Sequence, residues 1–247
     1  MATIKGSIAV VTGASRGLGR ALALALAREG AALSICARGE EDLEAVAAEA
    51  RQLGADVLAV PADMRNVRDI ERLVVLTMER FGRVDILVNN ASELGPTPLP
   101  LLADYPPEVF SDVLMINLHA PFRLTQSVLG QMLRRKAGTV INVSSDVAVN
   151  GYSNWGAYSV SKAALDGMTR TWAAELEGTG VDMYAVDPGD MNTAMHMAAL
   201  PDDDPEGLTD PADVAEAVLA IISGDFAPDG VRVEAAMVPA APRAVEA

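Results

Sequence analysis

Short, almost unbroken apolar runs alternate with longer helical patterns along nearly all of this chain, and that alternation leaves few folds open. "SIAVVT" (7–12) leads into a helical pattern over 18–29, "AALSICA" (31–37) into an acidic, alanine-rich one over 40–53, and "DVLAV" (56–60) into one over 66–81. "VDILVNN" (84–90) is followed by a proline-rich loop (95–107) and a long helical region ending near 135. "TVINVSS" (139–145) precedes a further helix, "VDMYAVD" (181–187) a polar loop to 211, and a helix over 212–223 precedes a last strand near 231–235. Strands that are apolar on both faces are strands covered on both faces, which is the signature of a parallel sheet. Six β-α repeats and a closing strand therefore predict an α/β protein. The expected architecture is one doubly wound parallel sheet of about seven strands with helices on both faces. No composition break divides it, so residues 1–237 are expected to form a single domain and 238–247 a flexible tail. In such a sheet ligands bind beyond the carboxyl ends of the strands, where strand order reverses, here between the first and fourth strands.

Composition narrows the partners. The 247 residues carry 34 acidic and 19 basic side chains, a formal charge of −15, which disfavours nucleic acid and anionic membrane surfaces as partners. An anionic ligand would need a local cationic patch. One cysteine and two histidines, none at metal-ligand spacing, predict no metal site and no disulfide framework. The apolar run "ALALALA" (21–27) is far shorter than the ~20 residues that span a bilayer. A cytoplasmic protein is expected.

"TGASRGLG" joins the first strand to the first helix. Gly13, Gly17 and Gly19 permit a tight turn and close backbone approach, and the free N–H groups at the helix start can hold a phosphate. Roughly 20 residues further on, where an NAD site offers an acid to the adenosine ribose, "CARGE" places Arg38 instead. Arg38 and Arg16 together could grip a 2′-phosphate, which favours NADP over NAD while leaving NAD possible.

"GYSNWGAYSVSK" (151–162) holds the reactive pattern. On a helix, four residues turn about 400° and rise roughly 6 Å, so Tyr158 and Lys162 share a face, whereas Tyr152 points elsewhere. A phenol with a pKa near 10 is a poor base at neutral pH, and a neighbouring ammonium lowers that value. Tyr158 could then exchange a proton with a substrate oxygen, with a hydroxyl from Ser144 or Ser145 beside it.

With these motifs in order, the chain resembles the short-chain dehydrogenase/reductase family over about residues 8–193. "TGASRGLG" resembles the cofactor turn and "NNAS" (89–92) the Asn-Asn-Ala-Gly motif, with Ser92 in place of glycine. "YSVSK" resembles the catalytic pair, and "DPGDMNT" (187–193) the segment after strand six, with Asp187 where asparagine is common. The resemblance implies a Rossmann fold and an NAD(P)-dependent oxidoreductase for a small carbonyl or alcohol substrate. It also implies a catalytic set of Asn117, Ser145, Tyr158 and Lys162. Tyr158 would be the general acid/base and Ser145 would bind the reacting oxygen. Lys162 would bind the nicotinamide ribose, and Asn117 would hold a relay water. It further implies cofactor contacts from Gly13, Ser15, Arg16, Gly17, Leu18, Gly19, Arg38, Asp63 and Met64. Asn90, Ala91, Ser92, Tyr158, Lys162, Pro188, Gly189, Met191 and Thr193 complete that set. A homodimer or homotetramer through the Tyr-Lys helix is implied as well. The alternative is a catalytically idle NAD(P)-binding sensor or scaffold.

Substrate walls are expected around 93–102, 146–155 and 194–200, without an anchoring charge pattern. "PDDDPEG" (201–207) reads as a solvated loop in preference to a cation-recognising lid. The carboxyl-terminal "GVRVEAAMVPAAPRA" departs from the family's usual ending.

Overall fold

The computed structural model describes residues 3–239. Seven parallel strands form one sheet: β1 (Ile8–Thr12), β2 (Ala32–Ala37), β3 (Val57–Pro61), β4 (Ile86–Asn89), β5 (Gly138–Val143), β6 (Val181–Asp187) and β7 (Arg232–Glu234). Their order is β3-β2-β1-β4-β5-β6-β7, so the reversal falls between β1 and β4 as expected. The connecting helices are α1 (Gly17–Arg28), α2 (Glu40–Gln52), α3 (Val67–Phe81), α4 (Pro107–Leu114), α5 (Ala120–Arg135), α6 (Gly156–Glu175), α7 (Ala194–Ala199) and α8 (Pro211–Ser223).

The pleat explains the unbroken apolar runs. In β1, Ala9 and Val11 face one core with α1, α2 and α8, while Val10 faces the other with α3, α5 and α6. In β4, Ile86 and Val88 point the first way and Leu87 the second. On α1, Leu18, Leu22 and Leu26 recur at helical spacing and are buried on the first face. Each such leucine contributes about 1.5–3 kcal/mol. Helix ends follow local chemistry. Asn66 accepts from the Arg68 N–H to cap α3, and Asp210 accepts from Ala212 N–H with Pro211 in the first turn of α8.

Two features departed from the expected pattern. The long helical region before 135 is α4 and α5 joined by a π-helical turn, Met115–His119. The loop after β6 contains α7, whose first turn is capped by Thr193 accepting from the His196 N–H. Val238, at the start of the expected tail, is buried against the first core; residues 240–247 lie outside the described residues. Among the described residues, no helix is long and apolar enough to cross a membrane.

Candidate active site

At the β1–α1 junction, Gly13 and Gly17 adopt φ of +66° and +54°, a region that side chains disfavour. A Cβ on Gly13 would lie 2.8 Å from the Ala91 Cα, and one on Gly19 would overlap the Gly13 carbonyl oxygen. Gly19 is therefore a packing glycine that seats the helix on its turn. The α1 N-terminus has no side-chain cap and no acid in its first turn, so its N–H groups are open to an anion. Asn90 Nδ2 donates to the Thr12 and Gly13 carbonyls (2.9 and 3.2 Å), tying the end of β4 to this turn.

A cavity of about 510 Å³ runs from the turn along the strand ends to Tyr158 and Lys162. Gly13, Ser15, Arg16, Gly17, Leu18, Arg38, Asp63, Met64, Asn90, Ala91, Ser92, Pro188, Met191 and Thr193 line it, as expected of cofactor residues. Gly189 instead lines a second cavity of about 280 Å³ with Ser145, and Gly19 lines neither. Tyr158 lines both cavities.

Two of the cavity's charges are already partnered. Arg38 Nη1 stands 3.7 Å from Glu93 Oε2. Asp63 accepts from Nε and Nη2 of Arg65, whose hydrogen bonds hold its carboxyl below the usual range. Cys36, buried under the same cavity, is pushed up to about 12 by burial and is an inert thiol.

Ser144 and Ser145 diverge at the end of β5. Ser144 is buried and donates to Asp166 (2.5 Å), whereas Ser145 is partly exposed; both line the second cavity. Tyr158 is hydrogen-bonded to Ser92 and Ser145, and Ser145 Oγ donates to Asp146 Oδ1 at 3.1 Å. Burial pushes the Tyr158 phenol up to about 12, with Asp187 and Asp146 adding to the rise against the two serine hydrogen bonds. Lys162 is almost fully buried, and its amine donates to the Val143 carbonyl at 2.7 Å. The amine lies 5.4 Å from the Tyr158 ring centroid. Burial lowers its pKa to about 8, against the pull of Asp166 and Asp187.

This corrects the expectation that the ammonium depresses the phenol. Helical spacing does bring the pair onto one face, but the amine turns to a backbone carbonyl and desolvation dominates both groups. The Asn117 side chain is likewise committed. Its amide donates to the Glu93 carbonyl and Ser161 (both 2.9 Å), and its oxygen accepts from the Glu93 N–H (2.7 Å).

Beneath the site lies a charged cluster that motif reading missed. Arg232 on β7 donates to Asp166 (3.1 Å), to Asp187 (2.7 Å) and to the Ser145 carbonyl (3.2 Å). Burial works against the guanidinium, but Asp187 and Asp166 outweigh it and hold its pKa above the ordinary value. Aspartate at 187, in place of the expected asparagine, is thus matched by a cation on the last strand. The signal was present as one arginine inside "GVRVEAA". Glu93 facing Arg38, Arg65 on Asp63 and the His196–Asp203 pair (2.8 Å) were also missed, since each joins residues distant in sequence or lacking a motif.

Residues 7–204 match the family model for short chain dehydrogenases, and the chain belongs to that family. It is accordingly an oxidoreductase acting on the CH–OH/C=O pair with a nicotinamide dinucleotide. It is 38% identical over 196 residues to a 3-oxoacyl-[acyl-carrier-protein] reductase of Synechocystis sp., covering 79% of this chain and 78% of that one. Its fold is similar to a short chain dehydrogenase from Pseudomonas syringae (TM-score 0.88, 34% identity, 94% and 96% of the two chains). It is also similar to one from Shigella flexneri solved with NADP (TM-score 0.85, 31% identity, 95% and 99%).

Proposed function

We propose that this protein is an NADP-dependent carbonyl reductase working within one domain, residues 1–237, with Tyr158 as its general acid. The observation that carries the proposal is the position of Tyr158 at the junction of the two cavities, bonded to Ser145 on the substrate side and Ser92 on the cofactor side. NADP fits the donors present: a glycine cradle that side chains would fill, open N–H groups at the α1 start, and Arg16 and Arg38 for the 2′-phosphate. When bound, the dinucleotide supplies the hydride.

This chain's residues do the rest. Ser145 donates to the substrate oxygen and fixes the carbonyl, exchanging its present Asp146 partner for the substrate. Tyr158, protonated at neutral pH as any phenol is and held more firmly so by burial, gives its proton to that oxygen as negative charge develops. Lys162 turns from the Val143 carbonyl to the cofactor ribose. Asn117, locked by four hydrogen bonds to Ser92, Glu93 and Ser161, ties the π-turn to the loop after β4 and to α6, and in this reading holds a relay water. An exposed Phe122 on α5, stacked on Trp172 of α6 with ring centroids 5.5 Å apart, leaves an aromatic face on which a homo-oligomer could form.

NADPH oxidation measured on a panel of ketones and diketones tests the proposal. Tyr158→Phe is expected to keep NADPH binding and lose about 10²–10⁴-fold in kcat. Undiminished turnover in that variant would sink the assigned role. NADPH binding with no turnover of any carbonyl would favour an idle sensor.

A further inference from the structure

We infer that the substrate cavity accepts a compact uncharged or cationic carbonyl compound and rejects carboxylate-bearing ones. The inference rests on the reductase reading for the identity of the cavity, and on the cavity's own side chains for its charge preference. The two cavities that meet at Tyr158 differ in basic groups. Arg16, Arg38 and Lys162 line the cofactor side. Among the described residues, the substrate side is lined by no lysine and no arginine.

Its one basic side chain, His196, is already committed. Nε2 lies 2.8 Å from Asp203 Oδ2 and Nδ1 lies 3.7 Å from Asp190 Oδ1, with the ring only 9% exposed. Two carboxylates, Asp146 and Asp190, line the same space. If His196 is protonated its charge is shared with Asp203 and Asp190, so the cavity is net negative in either state. Beyond α7, Asp202, Asp204 and Glu206 are exposed and extend the field outward.

An anionic group entering here would lose hydration, meet like charge and find no free cation. An ammonium or hydroxyl would find an acceptor. Asp146 already takes hydrogen bonds from Ser145 and from Tyr152, which lines the same cavity, but a carboxylate has about four acceptor positions, so capacity remains next to the reacting oxygen. Apolar walls come from Leu94, Val147, Trp155, Met195 and Leu200, with Ser144, Tyr152 and Thr193 as neutral polar neighbours. A volume of about 280 Å³ lies at the small end for ligand sites, which calls for a compact apolar body.

Three para-substituted aryl ketones of similar size and opposite or no charge test this, with the Asp variants separating charge from polarity: 4-acetylbenzoate, 4-methylacetophenone and 4-(aminomethyl)acetophenone. With wild-type protein and NADPH, kcat/KM for the methyl and aminomethyl ketones is expected to exceed that for the carboxylate at least tenfold. Asp146→Asn and Asp190→Asn should each narrow that gap. A carboxylate used as well as the methyl compound, or a gap unchanged in both variants, overturns the inference while leaving the reductase reading intact. Binding of the same three compounds to the NADPH-loaded Tyr158→Phe protein, followed by calorimetry, reads charge preference without turnover. The same order of affinity is expected there. Equal affinities, or failure of all three to bind, overturn the inference, whereas ordered binding without turnover by wild type counts against the reductase reading alone.

Discussion

Arg232 Nη2 lies 2.7 Å from Asp187 Oδ2, joining the start of the last strand to the residue that opens the loop over the active site. The same guanidinium holds Asp166 and the Ser145 carbonyl, so it fixes the backbone from which the reacting-oxygen donor projects. Arg232→Met leaves two buried carboxylates without their cation. It is expected to cost about 3–5 kcal/mol in urea unfolding and to lower kcat/KM at least tenfold. Adding Asp187→Asn should recover part of both losses, because one of the stranded charges is then gone. A cost below about 1 kcal/mol for the single variant would show that the cluster matters little.

Lys162 gives the activity an alkaline limit. Its pKa is lowered by burial to about 8, so the amine loses its proton, and with it the charge that would hold the cofactor ribose, as pH rises through that value. Carbonyl reduction measured as kcat/KM between pH 6 and 10 should decline with a midpoint near 8. Lys162→Arg should displace the midpoint upward, because a guanidinium stays charged. A profile that is flat across this range would remove Lys162 from the titrating machinery.

Glu93 competes for the same guanidinium that a 2′-phosphate would use. Its carboxylate stands 3.7 Å from Arg38, so NADP binding must exchange one anion for another. Glu93→Gln should lower the KM for NADPH several-fold and leave that for NADH nearly unchanged. Arg38→Ala should raise the NADPH value about tenfold or more, in keeping with a charge-assisted contact of about 1.5–3 kcal/mol. Equal effects on the two cofactors would show that Arg38 does not read the phosphate.

Gly19→Ala probes the seat of α1. The added methyl overlaps the Gly13 carbonyl oxygen and crowds Asn90 Nδ2, which braces the turn from β4. About 1–3 kcal/mol of stability should be lost, seen as a lower Tm, with weaker NADPH binding in titration. Wild-type affinity in a folded variant would mean that the turn relaxes without cost.

The fold was legible because two-sided burial writes itself into sequence as unbroken apolar runs, and β6 was read to the residue. The glycine turn that borders the first cavity was legible because glycine spacing and the β1–α1 junction constrain one another locally. What escaped has one physical cause: it is built from pairs that meet only in three dimensions. Nothing within "GVRVEAA" names Asp166 or Asp187, 66 and 45 residues away in the chain. The Lys162 rotamer escaped for a related reason. Helical spacing sets which side chains are neighbours, whereas the hydrogen-bond partner depended on a carbonyl at the end of a strand 19 residues earlier. The π-turn that carries Asn117 was invisible because apolar periodicity continues through it on either side.

The order in which the chain is made gives the Arg232 cluster another meaning. Ribosomes lay down Asp166 and Asp187 before the guanidinium that neutralises them, so any product broken off ahead of residue 232 keeps two stranded negative charges under its reaction centre. A chain cut ahead of residue 232 is therefore expected to unfold at lower urea than the whole molecule, through loss of the contact that supports Ser145.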